Sequence, residues 1–186
     1  GQAADLAVAW YIGSVREQGE SGLYSGIYGV AGRLTPAADM DALNKGQVVA
    51  TYSGRLMSER YAEVRDNVQL NVNFGNSTFT GVVNGGADTV MLSSQALPNG
   101  QTVLTRGVGF TIDAGTISGS TFQSTRLSAT DGTVSGAVSG GFFGPGAAAA
   151  GGIIDINKTR TSADAPYTSG RFVMPFLTRR VDNSEK

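Results

Sequence analysis

The chain has 186 residues, which suits one domain and is long enough to bury a sizeable core without covalent staples. Its net charge is −1, with no His and no Cys. That balance offers no field for a nucleic-acid backbone, no disulfide or thiolate metal site, and no imidazole base for Ser-His-Asp catalysis.

The 27 glycines are about double the usual ~7% and lack the three-residue period of collagen. Scattered among Val, Thr, Phe and Tyr, they point to many short strands and tight turns. Leu6 to Ile12 (LAVAWYI) is an almost wholly apolar strand, followed by a mixed-charge loop over Arg16 to Ser21. Gly22 to Arg33 alternates, with Leu23, Ser25, Ile27 and Gly29 facing one way and Tyr24, Gly26, Tyr28 and Val30 the other. Thr35 to Lys45 holds Pro36 and two acids and reads as a loop or one helical turn. Gln47 to Met57 returns to strand, and Ser58 to Asp66 reads either as a helix capped by Ser58 or as a ragged extension of that strand.

Val68 to Phe74 and Thr78 to Val83 form a hairpin around Gly75-Asn76-Ser77. Asn84 to Asp88 and Leu97 to Gly100 are turns on either side of a strand over Thr89 to Leu92. Thr102 to Ile112 and Thr121 to Ala129 read as strands, and Asp131-Gly132 turns the chain into Thr133 to Phe143. Gly144 to Gly152 breaks the pattern before Ile153 to Ile156 and Arg171 to Thr178, where Pro175 argues for an edge or a bulge. Together these predict an all-β fold: a closed antiparallel barrel of about eight strands with one or two short helical turns. Domain bounds follow as an N-terminal strand and linker over 1–20, a barrel over 21–182 and a tail over 183–186. Within the break, Gly144-Pro145 stops the strand, the Ala run makes a turn of helix plugging a barrel end, and Gly151-Gly152 reverses the chain.

Three segments resemble a known family. Tyr24 to Pro36 (YSGIYGVAGRLTP) with Thr51 to Gly54 (TYSG), Val72 to Gly81 (VNFGNSTFTG) and, most specifically, Ser139 to Ile154 (SGGFFGPGAAAAGGII) are similar to the transferrin-binding-protein-B-like barrels. The signature residues are Gly141, Phe143, Gly144, Pro145, Ala147, Gly151 and Gly152. The departure falls at Ala149 or Ala150, where the family often carries Glu. The resemblance, over about residues 21 to 180, implies an eight-stranded barrel of a Gram-negative surface lipoprotein or secreted carrier. Family ligands include transferrin, complement factor H, haemoglobin and haem, so the fold alone does not name the ligand.

Candidate chemistry is sparse. Asp39 and Asp41 fall far short of a calcium-loop spacing and read as a solvated loop. The sequons Asn76-Ser77-Thr78 and Asn157-Lys158-Thr159 read as turns. Haem without His would need a Tyr or Met ligand; Tyr24, Tyr28, Tyr52, Tyr61, Tyr167, Met57 and Met174 are available, but residues of this kind in alternating strands belong to a core. No catalytic, cofactor-binding or metal-ligating residue is therefore assigned, no cofactor is expected, and the chain is not read as an enzyme. The expected partner is a protein ligand or a neighbouring subunit. Nucleic acid is not expected, and nothing approaches the ~18 apolar residues of a membrane-spanning helix.

The function expected is a binding domain at the cell surface or secreted, recognising a ligand through the loops Thr35 to Lys45, Ser58 to Asp66 and Asp155 to Tyr167. The alternative is a structural or adhesive subunit that uses Leu6 to Ile12 for strand addition. Because the chain opens on Gly1 rather than Met, it reads as a processed or trimmed form, with any signal peptide or lipid-bearing Cys upstream.

Overall fold

A computed structural model describes residues 6–15, 23–56, 68–86, 91–96, 102–106, 109–160 and 170–181. In chain order the elements are β1 (Leu6–Val15), β2 (Leu23–Gly32), α1 (Ala37–Lys45), β3 (Val49–Leu56), β4 (Val68–Asn73), β5 (Thr78–Val83), β6 (Met91–Ala96), β7 (Thr102–Arg106), β8 (Phe110–Ser118), β9 (Thr121–Ser128), β10 (Gly132–Phe143), β11 (Ala149–Arg160) and β12 (Gly170–Val181). Eight of the strands close into an antiparallel barrel in the order β3-β4-β5-β8-β9-β10-β11-β12, with β12 paired to β3. Neighbours in the barrel are thus neighbours in the chain, apart from the closing β12–β3 pair and the β6–β7 hairpin inserted between β5 and β8.

Period-two alternation sets the wall. In β4, Val68, Leu70 and Val72 are buried and point inward, while Gln69 and Asn71 are exposed. Thr78, Thr80 and Gln123 likewise face out and Phe79 and Phe122 in. Apolar inside and polar outside is the inverse of a membrane-spanning barrel. The interior is filled rather than hollow. Phe122 meets Phe79 and Phe142 at ring-centroid distances of 5.2 Å, and Phe142 meets Phe74 at 5.1 Å and Tyr52 at 5.7 Å. Each such pair adds about 0.5–1.5 kcal/mol to the burial itself. Small residues make the room: a Cβ on Gly140 would lie 2.6 Å from Phe122 Cζ, and one on Gly115 would enter the Phe79 ring.

Several strand and turn readings change. The strand expected over Gly22 to Arg33 is present as β2, but it pairs with β1 over ten residue pairs in a separate ribbon and is not a barrel strand. Alternation identifies a strand without identifying its partner. The single strand expected over Thr102 to Ile112 is two: β7, which pairs with β6, and β8, which belongs to the barrel. The break at Gly144 to Gly152 is shorter than expected. Its helical turn is Pro145–Ala147, β11 already begins at Ala149, and Gly151 and Gly152 lie inside that strand opposite Gly141 and Gly140. Gly144 makes the reversal instead, at φ 74° and ψ 171°, a region open almost only to glycine. Asn157-Lys158-Thr159 is no turn but part of β11, whereas Asn76 and Ser77 do turn the chain, with Asn73 Oδ1 accepting the Asn76 N–H at 3.0 Å. Pro175 is paired with Ile153 of β11, and the described ladder to β3 begins at the next residue, Phe176.

The helical turn expected within Thr35 to Lys45 is a full helix, α1. Asp39 in its first turn and Lys45 in its last complement the helix dipole, and Met40 is buried. The helix candidate Ser58 to Asp66 and the turn Leu97 to Gly100 lie outside the described residues.

Candidate binding surface

The two mouths of the barrel are built differently. One mouth is closed. There the turn Pro145–Ala147 is stitched down by long-range bonds: the Tyr52 hydroxyl donates to Ala147 O at 2.7 Å, and the Gly146 N–H donates to Asp39 Oδ2 at 2.8 Å. Arg180 donates to Gly146 O at 3.2 Å, and the Thr35 hydroxyl to Gly144 O at 2.9 Å. Asn44 of α1 also donates to Phe74 O at 2.8 Å, tying the helix to the β4–β5 turn. Burial pushes the Tyr52 phenol far above its ordinary range, and the Arg180 charge offsets only part of that. Tyr52 is thereby a core and closure residue, and Met174 is also buried in the core. Of the other residues weighed as haem ligands, Tyr24 and Tyr28 fall in β2, and Met57, Tyr61 and Tyr167 lie outside the described residues.

The expected acidic pair divides. Asp39 holds Gly146 and so belongs to the closure, and Asp41 is exposed. The stretch Thr35 to Lys45, expected as a recognition loop, is therefore occupied with sealing this mouth.

The other mouth carries the long connections. Leu56 and Val68, Val83 and Phe110, and Arg160 and Gly170 all end or begin their strands there. The segments 57–67, 84–109 and 161–169 consequently leave from one end of the barrel. The remaining two expected loops share this mouth in part: Ser58 to Asp66 lies outside the described residues, while Asp155 to Arg160 is strand and the rest of Asp155 to Tyr167 is outside them. On the outer wall nearby, Arg171 makes a two-pronged pair with Asp155 at 2.9 and 2.8 Å. The hydrogen bond from Arg171 holds the Asp155 carboxyl below its usual range. Both side chains are exposed, so the pair contributes little to stability.

Sequence reasoning missed two features. A groove of 730 Å³ runs between β2 and the outer wall, floored by Gly140, Gly141, Gly151 and Gly152. Gly141 and Gly151 are register partners facing outward, and a Cβ on them would lie 2.9 Å from Leu34 Cδ2 and 3.1 Å from Val30 Cγ1. The bare backbone lets the β2 end approach the barrel, and this gives the signature glycines a packing role. The second feature is Lys158, wholly buried inside the barrel at the long-connection mouth. Reading it as part of a turn hid it, although the alternation from Ile154 through Ile156 places it inward. Among the described residues no three His, Cys, Asp or Glu side chains gather as a metal site, and no helix is long and apolar enough to cross a membrane.

The barrel is packed with aromatic rings, stoppered at one mouth and bears its longest connections at the other. Residues 24–172 match the family model for the C-lobe and N-lobe beta barrels of Tf-binding protein B, and the chain belongs to that family. Solved structures similar to it include a double mutant and a single mutant of the vaccine antigen transferrin binding protein B from Haemophilus parasuis Hp5. Both are 19% identical over 93% of this chain, with TM-scores of 0.52 and 0.51. The haemoglobin receptor HpuA from Kingella denitrificans also matches, at 14% identity over 95% of this chain and 58% of its own, with a TM-score of 0.47. At these identities the likeness is one of fold. The chain spans about a third of the transferrin binding protein B chains, 33% of each. A search of curated proteins returned no match.

Proposed function

We propose that this chain is a non-enzymatic binding domain of a Gram-negative bacterium, displayed at the cell surface or secreted, that recognises a host protein through the long connections at one mouth of its barrel. The observation that carries this reading is the asymmetry of the two ends. The segments 57–67, 84–109 and 161–169 depart together, while α1 and Pro145–Ala147 occupy the opposite end. Connections on a rigid frame are where recognition residues concentrate, because they vary without disturbing the core. Family membership supports the same reading, since its model describes barrels of a transferrin-binding protein.

The test is capture of purified transferrin, haemoglobin and complement factor H by the immobilised chain, with wild-type and loop-replaced versions side by side. One of these proteins should bind with micromolar or tighter affinity, and replacing 57–67 or 161–169 with a Gly/Ser linker should abolish binding while the circular dichroism spectrum is retained. Binding that survives replacement of every long connection, or no binding to any of the three, overturns the reading.

A further inference from the structure

Lys158 is an anomaly in this barrel. Its side chain is 0% exposed, a condition lysine almost never meets unless paired. Nζ donates to Gly109 O at 2.6 Å and stands 2.8 Å from Asp131 Oδ1. Gly109 is the residue that leads into β8, and Asp131 is at the tip of the β9–β10 hairpin. Lysine on β11 thus ties two other segments of the long-connection mouth to a third.

β9 and β10 are not paired with each other there, although β9 stays laddered to β8 through Ser128 and β10 to β11 from Gly132. The β9–β10 ladder spans only Thr121–Ser124 against Val138–Gly141, although both strands continue toward the tip. At that end of the ladder the Ser124 hydroxyl donates to Ala114 O at 2.5 Å and accepts the Arg126 N–H at 3.1 Å, where the β8–β9 register shifts between Ala114 and Thr116. Beyond that point Leu127, Ala129 and Val134 pack against the core, and the hairpin tip is drawn onto the buried ammonium.

A buried ion pair is weak evidence for stability, because desolvation offsets most of its attraction. What it does supply is direction: charge-assisted bonds tolerate little change in geometry. We propose that Lys158 is a positioning residue for the long-connection mouth, holding the β9–β10 tip and the entry to β8 in one arrangement. The purpose of that arrangement rests on the binding role proposed above for this mouth; the arrangement itself does not.

The test compares wild type with Lys158→Met, measuring thermal unfolding and backbone hydrogen exchange on the free protein. If Lys158 positions the mouth, K158M lowers Tm, because the Asp131 carboxylate and the Gly109 carbonyl lose their cation, and the amides of residues 110–112 and 131–134 exchange about tenfold or more faster than that fall in global stability accounts for. Amides of Val72 and Phe142, near the closed mouth, speed up by no more than the fall in global stability. Should K158M fail to fold, the double variant K158M/D131L, which leaves no charge of the pair behind, must show the same local acceleration. Unchanged exchange at 110–112 and 131–134, or acceleration spread evenly over the barrel, overturns the proposal. No ligand enters the measurement, so a failure to capture host proteins and a failure of Lys158 to position the mouth are separate results.

Discussion

The carboxylate of Asp39 accepts the N–H of Gly146 at 2.8 Å, across 107 residues of chain. One end of that bond lies in the first turn of α1, and the other in the turn that reverses the chain between β10 and β11. The bond joins the helix to the barrel at the place where the barrel is stoppered.

Replacing Asp39 with Ala should lower the unfolding free energy by about 1.5 kcal/mol, the low end for a charge-assisted bond because the site is partly exposed. Urea denaturation measures it. Asp41→Ala serves as the control and should lie within about 0.5 kcal/mol of wild type, as exposed substitutions do.

Tyr52→Phe removes the donor to the buried Ala147 carbonyl and should cost about 1–3 kcal/mol. The wild-type protein should also lose stability as pH rises above about 10. There the unfolded phenol gives up its proton while the folded one, raised by burial, keeps it. In Y52F that part of the alkaline decline should be missing. An identical alkaline slope in the two proteins would show that the folded phenol is not protected.

Gly144→Val forces a β-branched side chain to φ 74° and should destabilise by about 2–3 kcal/mol. Thermal unfolding of G144V beside G144A separates backbone strain, common to both, from the added crowding of the branched residue.

A fourth outcome concerns Gly115 and Phe79, which are register partners on the inner face. A methyl group on Gly115 would overlap the Phe79 ring, so G115A should cost about 1–3 kcal/mol by overpacking. Phe79→Leu frees that space at the expense of a cavity. The double variant should be more stable than the sum of the single losses predicts, and strict additivity in the double-mutant cycle would refute the contact.

The barrel itself was legible because its strands alternate cleanly. Val68, Leu70 and Val72 announce an inward face without reference to any other part of the chain. Asp39 was not legible, since nothing local distinguishes a solvated acid from one whose partner lies beyond eight strands. The alternation of β2 marks it as a strand but does not name its partner, which is β1 rather than a barrel neighbour. Lys158 shows a different failure: a sequon and a charge together resemble a turn, and only the phase of Ile154 and Ile156 points to the interior.

Closure between β3 and β12 has a consequence for how such a unit is used in larger proteins. Val181, the last residue of the final strand, is paired with Thr51 near the start of the first, so the polypeptide enters and leaves the barrel at adjacent points on one rim. A unit with this property behaves as a cassette. It can be spliced into a longer polypeptide, or duplicated within one, with little demand on the flanking sequence, and each copy is then free to diverge at its own loops while the wall is inherited unchanged.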